Sequence, residues 1–305
     1  MKRWLYNPVL ASSLKTRMRG WRTAAAVTAY LGVMLFIAYI FFKISVENGV
    51  MYYLSFSSSG LAGLRVYLML AVLQFALILL VTPAQTAGVI SSEREMQTLD
   101  LLLCTKMSPL SIIIGKLLSS LAFILLLIIS SIPLFSLVFL FGGIAPEDVA
   151  MLFLFYIITA FAVGSIGIFY SALFKRTVVS TVVTYITIFF LGIVSVVLGA
   201  YMMSVHYSQV PGPTDHYIPF ILYINPAVGL GDLLARQAGD PTTNVYYGIL
   251  GLFFGVSRSL GSPQGWFQKL PLWIGNSAVM SGIAVLLLCA SAWVIRPYKR
   301  LRRKS

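Results

Sequence analysis

The sequence predicts an all-α polytopic membrane protein: six transmembrane helices, an amphipathic N-terminal helix, a cytoplasmic helix after the second span, and a re-entrant outer segment before the last. Three observations predict it. Hydrophobic residues make up 59% of the 305 residues and charged residues 10%, with a mean hydropathy of +0.90; an ordinary soluble domain carries about 25% charged residues. Six runs reach the roughly 20 apolar residues that a helix needs to cross the hydrocarbon. The basic residues gather between and after those runs, where they set membrane orientation. This composition excludes a soluble globular enzyme, a disordered chain and a disulfide scaffold.

The elements follow in order, within one transmembrane domain spanning 1–305. In residues 1–22, Asn7 caps and Pro8 opens a helix with Leu10, Leu14 and Met18 on one face. Lys15, Arg17 and Arg19 lie away from that face, so the element reads as an interfacial helix leading into Trp21. No cleaved signal is expected, because the first span is too long for a signal core and no small-residue cleavage site follows it. The spans are 23–42, 66–90, 110–141, 149–173, 178–203 and 273–295. The third is long, and Pro133 predicts a kink in it. With the N-terminus inside, the inner segments and the basic tail at 296–305 hold seventeen Lys and Arg, and the outer segments hold five. Both termini are therefore expected in the cytoplasm of a cell-membrane protein.

Residues 204–272 are too long for an idle loop and too interrupted for simple spans. Ile218–Ala235 is broken by Pro219, Asn225-Pro226, Gly229, Gly231 and Asp232, and Val245–Val256 is only about a dozen residues. Two half-helices dipping into the outer leaflet fit these lengths. Such backbone survives at membrane depth only where protein covers it or it lines a cavity. Eight full spans are the alternative, with both ends of the chain unchanged.

The net charge is +13, from 22 Lys+Arg against 9 Asp+Glu. No basic stripe lies on a soluble element, so the partner this charge implies is the anionic face of the bilayer and not nucleic acid. The acids are Glu47, Glu93, Glu95, Asp100, Glu147, Asp148, Asp215, Asp232 and Asp240. None falls in the middle of a span, where an ion-driven carrier usually keeps an ionisable group; Asp232 is the exception if its half-helix dips deep. A secondary carrier or channel is the alternative function. A membrane enzyme is a third, for which only His206, Asp215 and His216 come near one another. No G-x-x-x-x-G-K-(S/T) phosphate loop is present, so no catalytic residues, metal or cofactor are assigned to this chain. Cys104 and Cys289 form no metal-ligand spacing or disulfide framework.

The inner connector, 91–108, carries the most information. Ser92 is placed to cap a short helix with Glu95 as its capping-box partner, and Glu93 and Glu95 suit the positive helix start. Met96, Leu99 and Leu103 share one face. Ser108 caps the next helix and Pro109 takes its first position. This element reads either as a plain interfacial helix with a solvated charged face or as a docking helix for the groove of a cytosolic partner.

Here the sequence resembles the type-2 ABC permeases, membrane subunits of ABC exporters. Their connector commonly reads E-(R/K)-E-x-G-T-L-E-x-L-L-x-T-P-L-S-P, followed by a helix opening with I-x-x-G-K. This chain has Glu93-Arg94-Glu95-Met96-Gln97-Thr98-Leu99-Asp100, then Leu101–Leu103, Thr105, Ser108-Pro109, Ile112–Ile114 and Gly115-Lys116. Gln97 replaces the usual Gly and Lys106 the usual Pro. Asn225–Leu234 also looks like that family's outer half-helix. The resemblance implies that the connector is a coupling helix seated in a separate ABC ATPase, with two permeases (identical or different) and two ATPase subunits per transporter. ATP is hydrolysed by the partner. Glu93, Arg94, Glu95, Thr98, Leu99 and Asp100, with Met96 and Leu103 from the apolar ridge, are the expected docking residues. The substrate is not legible. Gln74, Gln85 and Thr86 in the second span are expected either to face a transport path or to pack between helices.

Overall fold

The computed structural model of the chain describes residues 21–47, 59–98, 108–141, 144–209, 219–238 and 271–295. Among them, six helices are long and apolar enough to cross a membrane, and there are no strands. In chain order these are α1 (Trp21–Glu47), α2 (Ser59–Thr86), α4 (Pro109–Ser130) continued by α5 (Ile132–Phe141), α6 (Pro146–Leu173), α7 (Thr177–Gln209) and α9 (Leu272–Ile295). Two shorter helices join them: α3 (Ser91–Glu95) after α2, and α8 (Pro226–Gln237) before α9. The expected N-terminal amphipathic helix, the Val245–Val256 half-helix and the basic tail lie outside the described residues.

The third crossing breaks at Ser131, two residues before Pro133. Proline has no N–H to continue the ladder and its ring crowds the preceding turn. The Ser131 hydroxyl donates to Ile128 O at 2.7 Å, and Ser131 O restarts the ladder by accepting from Leu134 N and Phe135 N. A second proline, Pro83, sits inside α2. It loosens the last turn of that helix, and the Tyr185 hydroxyl of α7 donates to the Leu80 carbonyl there.

Helix α6 is the centre of the bundle and packs most extensively against α9 and α2. In lipid, apolar surface alone does not drive helices together, so close approach of backbones does the work. The α6 sequence supplies small buried residues for this: Ala160, Ala162, Gly164, Ser165, Gly167, Ser171 and Ala172. At Gly167 a Cβ would stand 2.1 Å from the Thr86 hydroxyl and 3.2 Å from Ala87 N, so α2 and α6 touch there through backbone. About midway along both helices the Tyr156 hydroxyl donates to Ala71 O at 2.6 Å. The two helices therefore run in the same direction. By contrast, α1 and α7 stand at the margin with most of their apolar surface unburied.

The segment before α9 goes into the bundle and comes back out. A 3-10 turn at Phe220–Ile224 runs inward along α7: Leu222 lies against Gly199, and Asn225 reaches Gly192 and Ser195. Helix α8 then climbs along α6, from Gly229 beside Phe155 to Gln237, whose amide donates to Asp148 O at 2.9 Å. Gly192 lies fifteen residues into α7, about 22 Å at 1.5 Å per residue. The turning point at Asn225 therefore sits beside the middle of α7 and, through Asn276, beside the first turns of α9, deep in the bundle on the side where α9 begins. Gly229 is needed there, because a Cβ would meet the Asn276 side chain at 2.4 Å.

Candidate functional site

The connector begins where α2 ends, and three helices hold its root. From α4, the Ser120 hydroxyl donates to Gln85 O at 3.2 Å. From α7, the Ser180 hydroxyl donates to Ala87 O at 2.7 Å. From α6, the buried Ser171 hydroxyl accepts from Ile90 N at 2.8 Å and Ser91 N at 3.0 Å. The start of a helix leaves N–H groups without intrahelical partners, and here a hydroxyl from another span takes them.

This corrects the expected capping box. Ser92 lies inside α3, which begins at Ser91 after Ile90 and has no side-chain cap of its own. Glu95 turns away from Ser92 and binds Thr177, accepting from its N–H at 2.9 Å and from its hydroxyl. The reason is the number of donors. Thr177 opens α7 and offers an orphan N–H together with a hydroxyl, whereas Ser171 already serves the start of α3. The Thr177 hydroxyl and N–H, assisted by Arg176, hold the exposed Glu95 carboxyl below its ordinary value.

Glu93 pairs with Lys116 of α4, both mostly buried. The pair lines a small polar pocket of about 210 Å³ with Gln85, Gly88 and Ser92. Helix α3 ends in a hydrogen-bonded reversal: Thr98 N donates to Glu93 O at 2.9 Å and Gln97 N to Arg94 O at 3.2 Å. That pattern places the residue after the helix in the left-handed region, and Gln97 has φ 58. The position is the one where the resembled connectors carry Gly. Met96 is 72% exposed, and Thr98 is exposed beside it. Arg94 is half-buried. Leu99, Asp100 and Leu103 lie outside the described residues. Beyond the connector, Ser108 accepts from Ser111 N at 3.3 Å with Pro109 at the first helical position, as their order in the sequence predicts.

The opposite end holds a buried polar node that sequence reasoning missed. Asn276 of α9 donates to Tyr223 O at 2.7 Å and Asn225 O at 2.9 Å. Asn225 caps α8 through Ala227 N and donates to Gly192 O and Ser195 Oγ. Asp232 is buried, binds Arg236 at 3.0 Å and accepts from Trp273 N in the first turn of α9. A lone Asn in an apolar run was the available signal. Of the α2 polar residues, Gln74 and Thr86 are fully buried. Thr86 packs on Gly167, and Gln74 has no hydrogen-bond partner among the described residues.

Between these ends lies a cavity of about 1030 Å³, bounded by α2, α6, α7, α9 and the Asn225 turn. Its lining is apolar, with Tyr185, Phe189, Phe190 and Met280 prominent. Among the described residues, no three of His, Cys, Asp and Glu group as metal ligands. His206 falls within α7 and not in a loop, and Asp215 and His216 lie outside the described residues.

Six apolar helices around a small-residue core define a multi-pass membrane protein. A family model described as ABC-2 family transporter protein matches residues 45–293. The chain belongs to that family and is an ABC transporter permease. Among curated proteins, none matches it.

Proposed function

We propose that this permease forms the translocation path of an ATP-driven exporter and is powered by a separate ABC ATPase that docks on the 91–108 connector. Membership of the ABC-2 family over residues 45–293 carries the reading, since a permease of this family works with ABC ATPases. A second permease subunit completes the path. The docking face comprises Arg94, Met96, Thr98, Leu99, Asp100 and Leu103, while Glu93 and Glu95 are taken up by the chain's own Lys116 and Thr177. The connector and both termini face the cytoplasm of a cell-membrane protein, which agrees with the concentration of Lys and Arg in the inner segments. The apolar cavity suits a lipidic or amphipathic cargo.

The ion-driven alternative is weakened by Asp232. It lies near the end of the bundle with Arg236 and the start of α9 as partners, so it does not serve as a coupling acid at mid-membrane.

The test is purification of the chain from its native membrane, followed by reconstitution. An ABC ATPase should copurify, and transport should require ATP. Transport by the chain alone, without ATP, would overturn the proposal. A cysteine placed at the exposed Met96 should resist an impermeant thiol reagent in intact cells and react in opened ones; labelling from outside would reverse the orientation.

A further inference from the structure

We propose that Glu95 acts within the permease as a latch that ties the connector to α7, so that movement of the connector is passed to the wall of the apolar cavity. The proposal rests on the ATPase-docking reading above and assigns Glu95 a different job from the docking residues.

Three observations carry it. First, the Glu95 carboxylate is the side-chain cap of a spanning helix distant in sequence: both of its oxygens are used by Thr177, the first residue of α7. A carboxylate receiving an N–H and a hydroxyl makes two charge-assisted bonds in fixed directions, and it stands at the positive end of the α7 dipole. Second, the contact is reinforced beside it. The Thr177 methyl group would lie 2.9 Å from a Cβ at Gly88, and Ser180, one turn into α7, holds Ala87 O. The first turn of α7 is thus bound to both flanks of α3. Third, α7 is well placed to respond. Only about a sixth of its apolar window is buried (17%), and its middle supplies Tyr185, Ile186, Phe189 and Phe190 to the cavity. Beyond its first turn α7 is held at a few points, by Tyr185 on Leu80 O, Thr187 on Tyr170 and Asn225 on Gly192 O, so displacing the first turn swings the helix about those points. One end is fastened by Glu95, and the middle borders the Asn225 turn.

Glu95 is accordingly a positioning residue. It touches neither nucleotide nor cargo, and it acts through Thr177. A merely structural cap would show itself in stability alone, whereas a latch shows itself in the response of α7 to nucleotide.

The experiment uses the chain with its copurified ATPase in lipid nanodiscs, carrying Cys104→Ser, Cys289→Ser and Ile186→Cys. The readouts are the ATPase retained, the thermal midpoint, and the change in thiol-labelling rate at position 186 when ATP is added. Glu95→Ala should lose most of the ATP-dependent change, and Thr177→Val, which keeps the N–H donor, about half of it, both retaining the ATPase and the midpoint. The double variant should lose no more than Glu95→Ala alone, as two halves of one interaction do. Thr177→Ser keeps both donors and should keep the full response. Loss of the ATPase with Glu95→Ala while Thr177→Val responds fully would make Glu95 a partner contact and overturn the latch. A full response in both single variants would overturn it as well. If the unaltered chain carries no ATPase, the proposed function falls, and the latch with it.

Discussion

At the far end of the bundle the elements are joined by buried amides and backbone carbonyls. Asn276 bridges Tyr223 O and Asn225 O, and Asn225 reaches on to Gly192 and Ser195. At the connector end two of the fastenings are carboxylates, the mostly buried Glu93 on Lys116 and the exposed Glu95 on Thr177. The chemistry predicts different mechanics. Water cannot replace the bonds of a buried amide, so breaking them leaves orphan carbonyls in a low-dielectric interior. An exposed carboxylate exchanges a protein donor for water at small cost. The Asn225 turn is therefore a fixed joint and the connector a yielding one, with the buried Ser171 hydroxyl as the connector's own fixed point.

The contrast is sharpest at Asn276. Replacing it with Ala removes donors from two buried carbonyls and should cost about 3 kcal/mol, from two lost hydrogen bonds and the desolvated groups left behind. A lowered thermal midpoint with α8 and α9 losing hydrogen-exchange protection is the expected result; an unchanged midpoint would show that the node is not a fixed joint. Ser171→Ala comes next. It leaves Ile90 N and Ser91 N without their acceptor, at about 2 kcal/mol, and protection should fall in α3 before it falls elsewhere. Glu93→Ala should be milder, about 1–2 kcal/mol, between the exposed and the fully buried limits for an ion pair, because Lys116 is left mostly buried but beside a polar pocket. A double-mutant cycle with Lys116→Ala isolates that interaction, and a coupling as large as the Asn276 effect would erase the distinction between the two ends.

The legible parts of the molecule are those fixed by local pattern. Six apolar runs give six spanning helices, because chain length and hydrocarbon thickness leave few other solutions. The break near Pro133 and the Ser108-Pro109 helix start likewise follow from neighbouring residues. Long-range partners were not legible. The spacing of Ser92 and Glu95 fits a capping box, yet Ser171 and Thr177, some eighty residues away, take both roles. Nothing in the local sequence marks those two residues among the many Ser and Thr of the spans. Asn225 was visible as a helix breaker before Pro226, but its bonds to α7 depend on how deep the turn goes. Of the connector's carboxylates, Glu93 and Glu95 bond to the chain's own α4 and α7, and Asp100 lies outside the described residues.

Gln97 offers the smallest effect and the cleanest separation of the two ends. Its φ of 58 lies in the left-handed region, where an L side chain costs roughly 1–2 kcal/mol. Glycine removes that cost but gives back about 0.5–1 kcal/mol in unfolded-chain entropy. Gln97→Gly should therefore gain about 0.5–1 kcal/mol, confined to the reversal made by Thr98 N on Glu93 O and Gln97 N on Arg94 O. Exchange of the Thr98 amide should slow by roughly two- to fivefold, while protection around Asn225 and Asn276 stays as it was. Gln97→Ala keeps the strain and should give no such gain. Faster exchange in the glycine variant would mean that the Gln97 side chain itself holds the reversal, and the connector would then be braced by a third polar group beside Glu93 and Glu95.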